Sequence, residues 1–210
     1  MKAILVVDDH AIVREGLKRI LTDVPGGVEV DDAWDPESAM NQVRRRHWDL
    51  VLLDLNLGGK SGLDLLVRMK VERPELRVLV MSMYPEDQYA VRVLQAGAIG
   101  YLSKEAAPQE LVAAVLRAES GKKVISETTA ELLLRRVVPG STEQPHDRLS
   151  DRELQILRMI ASGKQSQEIA DELHLSVKTV GTYRGRILEK IGINNTAELV
   201  LYAVRYGLLS

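Results

Sequence analysis

The chain has 210 residues, 45% of them apolar, with no cysteine and no phenylalanine, and 28 Lys and Arg against 30 Asp and Glu give a formal charge of −2. That length suits two ordinary domains, each able to bury its own core. The lack of cysteine excludes disulfides, thiolate metal sites and a cysteine nucleophile, and agrees with a reducing, cytoplasmic location. No apolar run approaches the roughly 18–20 residues of a membrane span, and the N-terminus leads into a strand-like segment without a signal-peptide pattern.

Through residue 120, short apolar runs alternate with longer helical patterns. The runs are residues 3–7, 28–33, 50–53, 78–81 and 99–102, and most are continuously apolar, as strands buried on both faces of a parallel sheet are. Amphipathic stretches occupy residues 11–21, 36–45, 62–73, 85–96 and 108–119, with Pro36, Pro85 and Pro108 near helix starts. Strict alternation of five strands and five helices predicts an α/β fold with a five-stranded parallel, doubly wound sheet. Beyond Gly121 a helix is expected over about residues 127–138, followed by a Pro- and Gly-bearing polar stretch, 139–145, that reads as a tether. From Leu149 the strand signal is gone and four helices are expected, over 151–161, 166–173, 176–190 and 197–206. The expected division is a first domain over 1–121, a linker with one helix over 122–147, and an all-α, four-helix domain over 148–210.

Polar residues with chemical potential sit at the ends of the apolar runs. Strand one ends in Asp8-Asp9, strand three in Asp54, strand four in Ser82, and strand five leads through Ser103 to Lys104. Open α/β sheets bind ligands at the carboxyl ends of their strands, so residues distant in sequence would converge on one crevice. Clustered carboxylates repel unless a cation neutralises them, and an all-oxygen site suits Mg²⁺. One carboxylate could then attack a phosphoryl donor to give an acyl phosphate, with Lys104 neutralising the added charge and the Ser82 hydroxyl donating to a phosphoryl oxygen. Acidic residues also cap helices that follow strands. That explains Asp8 or Asp9 alone, but not the whole set.

Residues 1–120 resemble the receiver domain of bacterial two-component response regulators. The resemblance lies in Val6-Val7-Asp8-Asp9-His10, Leu53-Asp54-Leu55 with Gly62 eight residues after Asp54, Met81-Ser82, and Tyr101-Leu102-Ser103-Lys104. It implies that Asp54 is the phospho-acceptor, and that Asp8, Asp9 and Asp54 with the Asn56 backbone carbonyl hold Mg²⁺. It also implies that Ser82 and Tyr101 are paired switch positions which move inward on phosphorylation, and that Asn56 and Tyr84 tune hydrolysis. Taken alone, Tyr101 reads as core or rim packing. One departure stands out: the proline usual four residues after the acceptor is Gly58, followed by Gly59. A more flexible loop is expected there.

In the C-terminal segment, Ser150 with Glu153 three residues later forms a capping-box signature, and Leu154, Leu157, Ile160 and Ala161 mark one apolar face. Ile169, Ala170 and Leu173 face inward on a second helix, and His174-Leu175-Ser176 makes a tight turn, so the pair reads as a helix-turn-helix whose next helix enters the DNA major groove. That helix carries Lys178, Arg184, Arg186 and Lys190 against Glu189. Val177, Val180, Ile187 and Ile191 are expected to face the core. Lys178, Thr179, Thr182, Tyr183, Arg184 and Arg186 are the candidate contacts to phosphates and base edges. Residues 149–209 resemble the LuxR-type DNA-binding domain through Leu149-Ser150-Asp151-Arg152-Glu153, Ile169-Ala170, Leu175-Ser176-Val177-Lys178-Thr179-Val180, Lys190-Ile191-Gly192-Ile193 and the Ala203 to Gly207-Leu208 stretch. Joined to a receiver, it indicates the NarL/FixJ group. Gly181, Tyr183 and Gly185 depart from that pattern, which shifts expected base readout toward Thr182, Tyr183, Arg184 or Arg186.

The last helix is apolar nearly all round, so two packing partners are expected: its own domain, and either a second protomer or the receiver and linker. The expected protein is thus a cytoplasmic transcription regulator rather than an enzyme, phosphorylated on Asp54 by a sensor histidine kinase. It would bind DNA as a homodimer, with RNA polymerase a further partner and no membrane contact. Two competitors are an aspartyl-phosphate phosphatase, which would place Asp-x-Asp on its acceptor strand, and a regulator whose receiver serves only for dimerisation. His10, His47, His146 and His174 show no metal-ligand spacing, and no Gly-rich phosphate loop follows a strand. The near-neutral total hides a division: residues 148–210 carry nine Lys and Arg against seven Asp and Glu, a net of +2, which leaves −4 for residues 1–147.

Overall fold

A computed structural model of the chain describes residues 2–137 and 144–209. Two compact units are present, Met1–Pro139 and Gly140–Ser210.

In the first unit the chain runs through β1 (Lys2–Val7), α1 (Ala11–Leu21), β2 (Val28–Ala33), α2 (Pro36–Arg45), β3 (Leu50–Asp54), a short hairpin of β4 (Asn56–Leu57) and β5 (Lys60–Ser61), and α3 (Gly62–Glu72). It continues through β6 (Val78–Ser82), α4 (Glu86–Gln95), β7 (Gly100–Ser103), α5 (Pro108–Glu119) and α6 (Glu127–Val137). The five long strands form one sheet in the order β2-β1-β3-β6-β7, and every pairing is parallel. The side chains of β1, β3 and β6 alternate between two buried faces. Ile4, Val6, Leu50, Leu52, Leu79 and Met81 pack with Leu17 and Leu21 of α1 and with Leu111, Ala114, Val115 and Ala118 of α5. Leu5, Val7, Val51 and Leu53 point the other way and are equally buried, on the side where α2 packs against α3 and α3 against β3. Burial on both faces is what the unbroken apolar runs require.

Local signals set the helix starts. Asp35 caps α2 in a reciprocal box with Ser38, with Pro36 at the first helical position. Ser61 caps α3, and Pro108 opens α5, whereas Pro85 lies one residue ahead of α4. The β4–β5 hairpin has no apolar run to announce it. The linker helix α6 packs against α4 and lies within the first unit.

Among the described residues the second unit holds a 3-10 turn (Pro145–Arg148), α7 (Asp151–Ala161), α8 (Ser166–Glu172), α9 (Val177–Ile191) and α10 (Thr196–Arg205). Leu154, Leu157, Ile169, Leu173, Val180, Ile187, Leu199 and Leu208 are buried in its core. The α8–α9 turn places His174 at φ 51°, and Leu175 N–H donates to the Ala170 carbonyl at 2.8 Å. Val177, expected inside, is 43% exposed, because it occupies the first turn of α9 ahead of the core-facing stripe. The Ser150–Glu153 capping box forms as expected. Glu153 is also buried, and Lys190 Nζ reaches its carboxylate at 2.7 Å, so this lysine of α9 is engaged inside the unit. No described helix is long and apolar enough to cross a membrane.

Burial pushes the Glu153 carboxyl up, but Lys190 and Ser150 outweigh it and hold the group below its ordinary 4.5. A carboxyl with a lowered folded-state pKa contributes stability above its unfolded pKa and loses it as pH falls through the folded value. Lys190→Met strands a buried charge and should cost about 3 kcal/mol at pH 7. Melting curves of mutant and wild type should converge as pH drops below 4.5.

Candidate functional site

β2 and β3 flank β1, so the chain's direction of winding switches beside β1, and the crevice outside its carboxyl end is the ligand position of such sheets. Asp8, Asp54 and Ser82 converge there and are almost wholly buried. Lys104 follows β7 and extends its ammonium between two carboxylates, 2.6 Å from Asp8 Oδ2 and 2.7 Å from Asp54 Oδ2. Its backbone N–H donates to the Ser82 carbonyl at 3.0 Å, which ties the lysine to the end of β6. Burial pushes the Asp54 carboxyl up to about 6, against Lys104 and the Asn56 backbone N–H, which favour the charged form. For Lys104 burial acts to lower the pKa, but Asp54 and Asp8 outweigh it and the ammonium is held above its ordinary range.

Gly62 explains its own place eight residues after the acceptor. The β4–β5 hairpin folds the start of α3 back onto the end of β3, where Gly62 N–H donates to Leu55 O at 2.8 Å. A Cβ at Gly62 would overlap the Asp54 carbonyl and lie 2.6 Å from Leu55 Cα. Only glycine lets the backbone pass that close.

Asp9 lies beside the pair at the crevice mouth. Its Oδ2 accepts from Gly58 N–H at 2.9 Å, while Oδ1 is buried without a hydrogen bond, with His10 Nδ1 2.8 Å away. Oxygens of Asp8, Asp9 and Asp54 and a nitrogen of His10 all lie within 4.8 Å of one another. An orphaned carboxylate oxygen among hard oxygen donors fits a divalent cation such as Mg²⁺. The acidic pocket is of the kind in which receiver domains hold that ion.

Three contributors were not among the residues expected from sequence. His10 joins the acidic group despite its lack of metal spacing, because adjacency to Asp8-Asp9 does what spacing did not. Arg14 Nη1 donates to the Asp8 carbonyl at 2.8 Å, one helical turn beyond His10. The third is the Gly58 amide. Gly58 and Gly59 have φ of 59° and 84°, the two left-handed residues of a tight hairpin turn. The pair closes β4 onto β5, a conformation proline cannot adopt.

The Tyr101 ring is buried, its phenol donates to the Tyr84 carbonyl, and Tyr84 stacks on Tyr89 at 4.7 Å between centroids. Burial holds the Tyr101 phenol well above its ordinary range, with a Ser82 hydrogen bond opposing.

In the second unit, Lys178, Gly181, Thr182 and Gly185 recur at helical spacing on the side of α9 opposite Val180, Ile187 and Ile191. Lys178, Thr182, Arg184 and Arg186 are exposed, and Thr179 and Tyr183 half-buried. Thr179 Oγ1 lies 2.8 Å from the N-cap hydroxyl of Ser176, and Thr182 Oγ1 donates to the Lys178 carbonyl at 3.1 Å. Beyond the backbone of α9 itself and the adjoining residues, nothing lies within 4 Å of a Cβ built at Gly181 or Gly185, so both leave bare backbone on the outer face. On α10, Leu199 and Ala203 are buried while Leu201 and Val204 are 69% and 58% exposed.

An acidic crevice of this type and a helix-turn-helix unit in one chain make a DNA-binding response regulator. Residues 4–116 match the response regulator receiver domain, and residues 147–203 match the luxR family of bacterial regulatory proteins. Response regulator UvrY of Escherichia coli strain K12 is 39% identical over 206 residues, covering 98% of this chain and 94% of UvrY. Response regulator GacA of Pseudomonas aeruginosa is 40% identical over 210 residues, covering 100% of this chain and 98% of GacA. Among solved structures, RcsB of Salmonella enterica serovar Typhimurium, bound to promoter P1flhDC in the presence of the phosphomimetic BeF₃⁻, aligns with a TM-score of 0.59. Its sequence identity is 27%, over 96% of this chain and 97% of RcsB. A structure of two RcsB dimers bound to two parallel DNAs aligns at 0.58 with 26% identity, over 97% of this chain and 98% of the other. The chain belongs to the NarL/FixJ family of response regulators.

Gly58→Pro removes both the amide held by Asp9 and the left-handed turn, and should weaken Mg²⁺ binding roughly tenfold. Gly58→Asn keeps the N–H and tolerates the turn, so titration calorimetry should give it near-wild-type affinity.

Proposed function

We propose that Asp54 accepts a phosphoryl group from a sensor histidine kinase, and that the phosphorylated protein controls transcription by sequence-specific DNA binding. The observation that carries this reading is the Lys104 ammonium bridging Asp8 and Asp54 in a buried crevice. An Asp54 carboxylate oxygen attacks phosphorus, the P–N bond to the kinase histidine breaks, and an acyl phosphate forms as nitrogen keeps the electron pair. Lys104 then neutralises the phosphoryl charge, and the Ser82 hydroxyl donates to a phosphoryl oxygen. Asp8, Asp9, Asp54 and the Asn56 carbonyl would hold Mg²⁺, which supplies positive charge for the phosphoryl oxygens when bound. The chain itself carries the phosphoryl group as a signal, so it acts as a switch rather than an enzyme.

Within this reading Tyr101 and Ser82 are the switch pair. The receiver spans residues 1–121, the linker 122–147 and the DNA-binding domain 148–210, with α6 docked on the receiver side. Lys178, Thr179, Thr182, Tyr183, Arg184 and Arg186 face DNA. The two committed threonine hydroxyls leave Lys178, Arg184 and Arg186 as the main charged contacts. The exposed Leu201 and Val204 on α10 suit a homodimer on paired half-sites. RcsB offers a precedent for both DNA and dimerisation. RNA polymerase is a further partner, and the cytoplasm the place of action.

Asp54→Ala should abolish acid-labile phosphate incorporation from acetyl phosphate with Mg²⁺, and equal incorporation would remove Asp54 as acceptor. Arg186→Ala should weaken DNA binding and lower the salt slope by about one. An unchanged slope in fluorescence anisotropy titrations would take Arg186 off the phosphate backbone.

A further inference from the structure

The chain leaving α5 does not go straight into α6. It first runs along the free edge of β7, where Val124 N–H donates to the Ile99 carbonyl at 3.0 Å and Tyr101 N–H donates to the Val124 carbonyl at 3.2 Å. Gly100 and Val124 form a parallel bridge, and a Cβ at Gly100 would overlap Val124 and lie 2.9 Å from its carbonyl carbon. Two residues on, α6 is fastened to α4. The hydroxyls of Ser126 and Thr129 both donate to one oxygen of Glu86 in the first turn of α4, Thr129 at 2.5 Å. Thr129 is only 1% exposed, and its N–H donates to Ser126 Oγ at 3.0 Å, so the capping hydroxyl of α6 is part of the same cluster.

Tyr101 lies between these two fastenings. Its backbone holds Val124, and its phenol holds the carbonyl of Tyr84, two residues before Glu86. Ser82, at the end of the strand beside that of Asp54, accepts from Tyr84 N–H at 3.2 Å, so it holds the same residue whose carbonyl holds the phenol. A set of contacts thus runs from the acceptor crevice through Ser82, the Tyr84 backbone and Tyr101 to both anchors of α6. We propose that α6 is the element through which the receiver reports its phosphorylation state, with Glu86 the positioning residue that latches α6 onto α4 when Tyr101 is inside. The proposal rests on the reading of Asp54, Ser82 and Tyr101 as a phosphorylation switch. Tyr101 is inside and the latch is closed in the same structure, so a phosphoryl group that favours the inward tyrosine also favours docked α6. It does so only to the extent that it binds that state better.

Hydrogen exchange on the full chain tests this, with and without Mg²⁺ and BeF₃⁻, reading the amides of residues 128–134. Wild-type exchange there should slow at least roughly fivefold on adding BeF₃⁻. Glu86→Ala and Thr129→Val should each abolish that slowing while acetyl phosphate still labels Asp54 at the wild-type rate. Glu86→Gln keeps an acceptor oxygen and should restore it. A wild-type response in both Glu86→Ala and Thr129→Val overturns the latch. Labelled wild-type protein whose α6 exchange does not change overturns α6 as the output element. Failure of wild type to take label at all would instead overturn the acceptor assignment on which the proposal stands.

Discussion

The ammonium of Lys104 between two buried carboxylates is the interaction on which the first unit depends. Asp8 and Asp54 end neighbouring parallel strands, so the sheet itself brings two negative charges together away from water. Such a pair is tolerated only with a cation in hydrogen-bonding contact, and Lys104 supplies it from the end of β7. Burial still holds Asp54 well above the ordinary carboxylate range. The crevice is therefore short of positive charge, and Asp9 brings a buried oxygen with no hydrogen bond to the same place. A site with that shortage of positive charge suits a divalent ion.

Around this pair the fold uses backbone rather than side chains to set distances. Gly62 lets α3 begin against the Asp54 carbonyl, and Gly100 lets the chain after α5 lie on the edge of β7. The Gly58-Gly59 turn offers an amide to Asp9 where the usual proline has none. The second unit has its own counterpart of the buried pair in Glu153 and Lys190, which join the start of α7 to the end of α9. That bond engages one of the basic helix's cations within the unit. With Gly181 and Gly185 bare, the outer face presents few side chains, while Lys178, Arg184 and Arg186 are the exposed cations of the helix.

Much of the architecture was legible because the inner strands β1, β3 and β6 are buried on two faces and the helices on one. Continuous apolar runs and 3.6-residue periods record that directly, and the Ser150–Glu153 and Pro36 signals mark helix starts. The hairpin of Asn56–Leu57 with Lys60–Ser61 was not legible, since two-residue strands carry no periodicity. Val177 was assigned inward on its apolarity, but the first turn of a helix projects beyond the surface its later turns cover. Nor does composition announce that Gly58-Gly59 adopt the left-handed turn that closes that hairpin.

By itself the sequence determined the order of elements, the division into an acidic α/β half and a mildly basic helical half, and the chemical types gathered at strand ends. Those depend on local periodicity and on residue identity. The tertiary structure decided which of these groups touch: that Lys104 spans Asp8 and Asp54, that His10 joins the acidic group, that Lys190 turns inward to Glu153, and that α6 lies on α4 through Glu86. Contacts between residues tens of positions apart leave no local pattern, because the geometry that makes them is set by the packing of the whole unit.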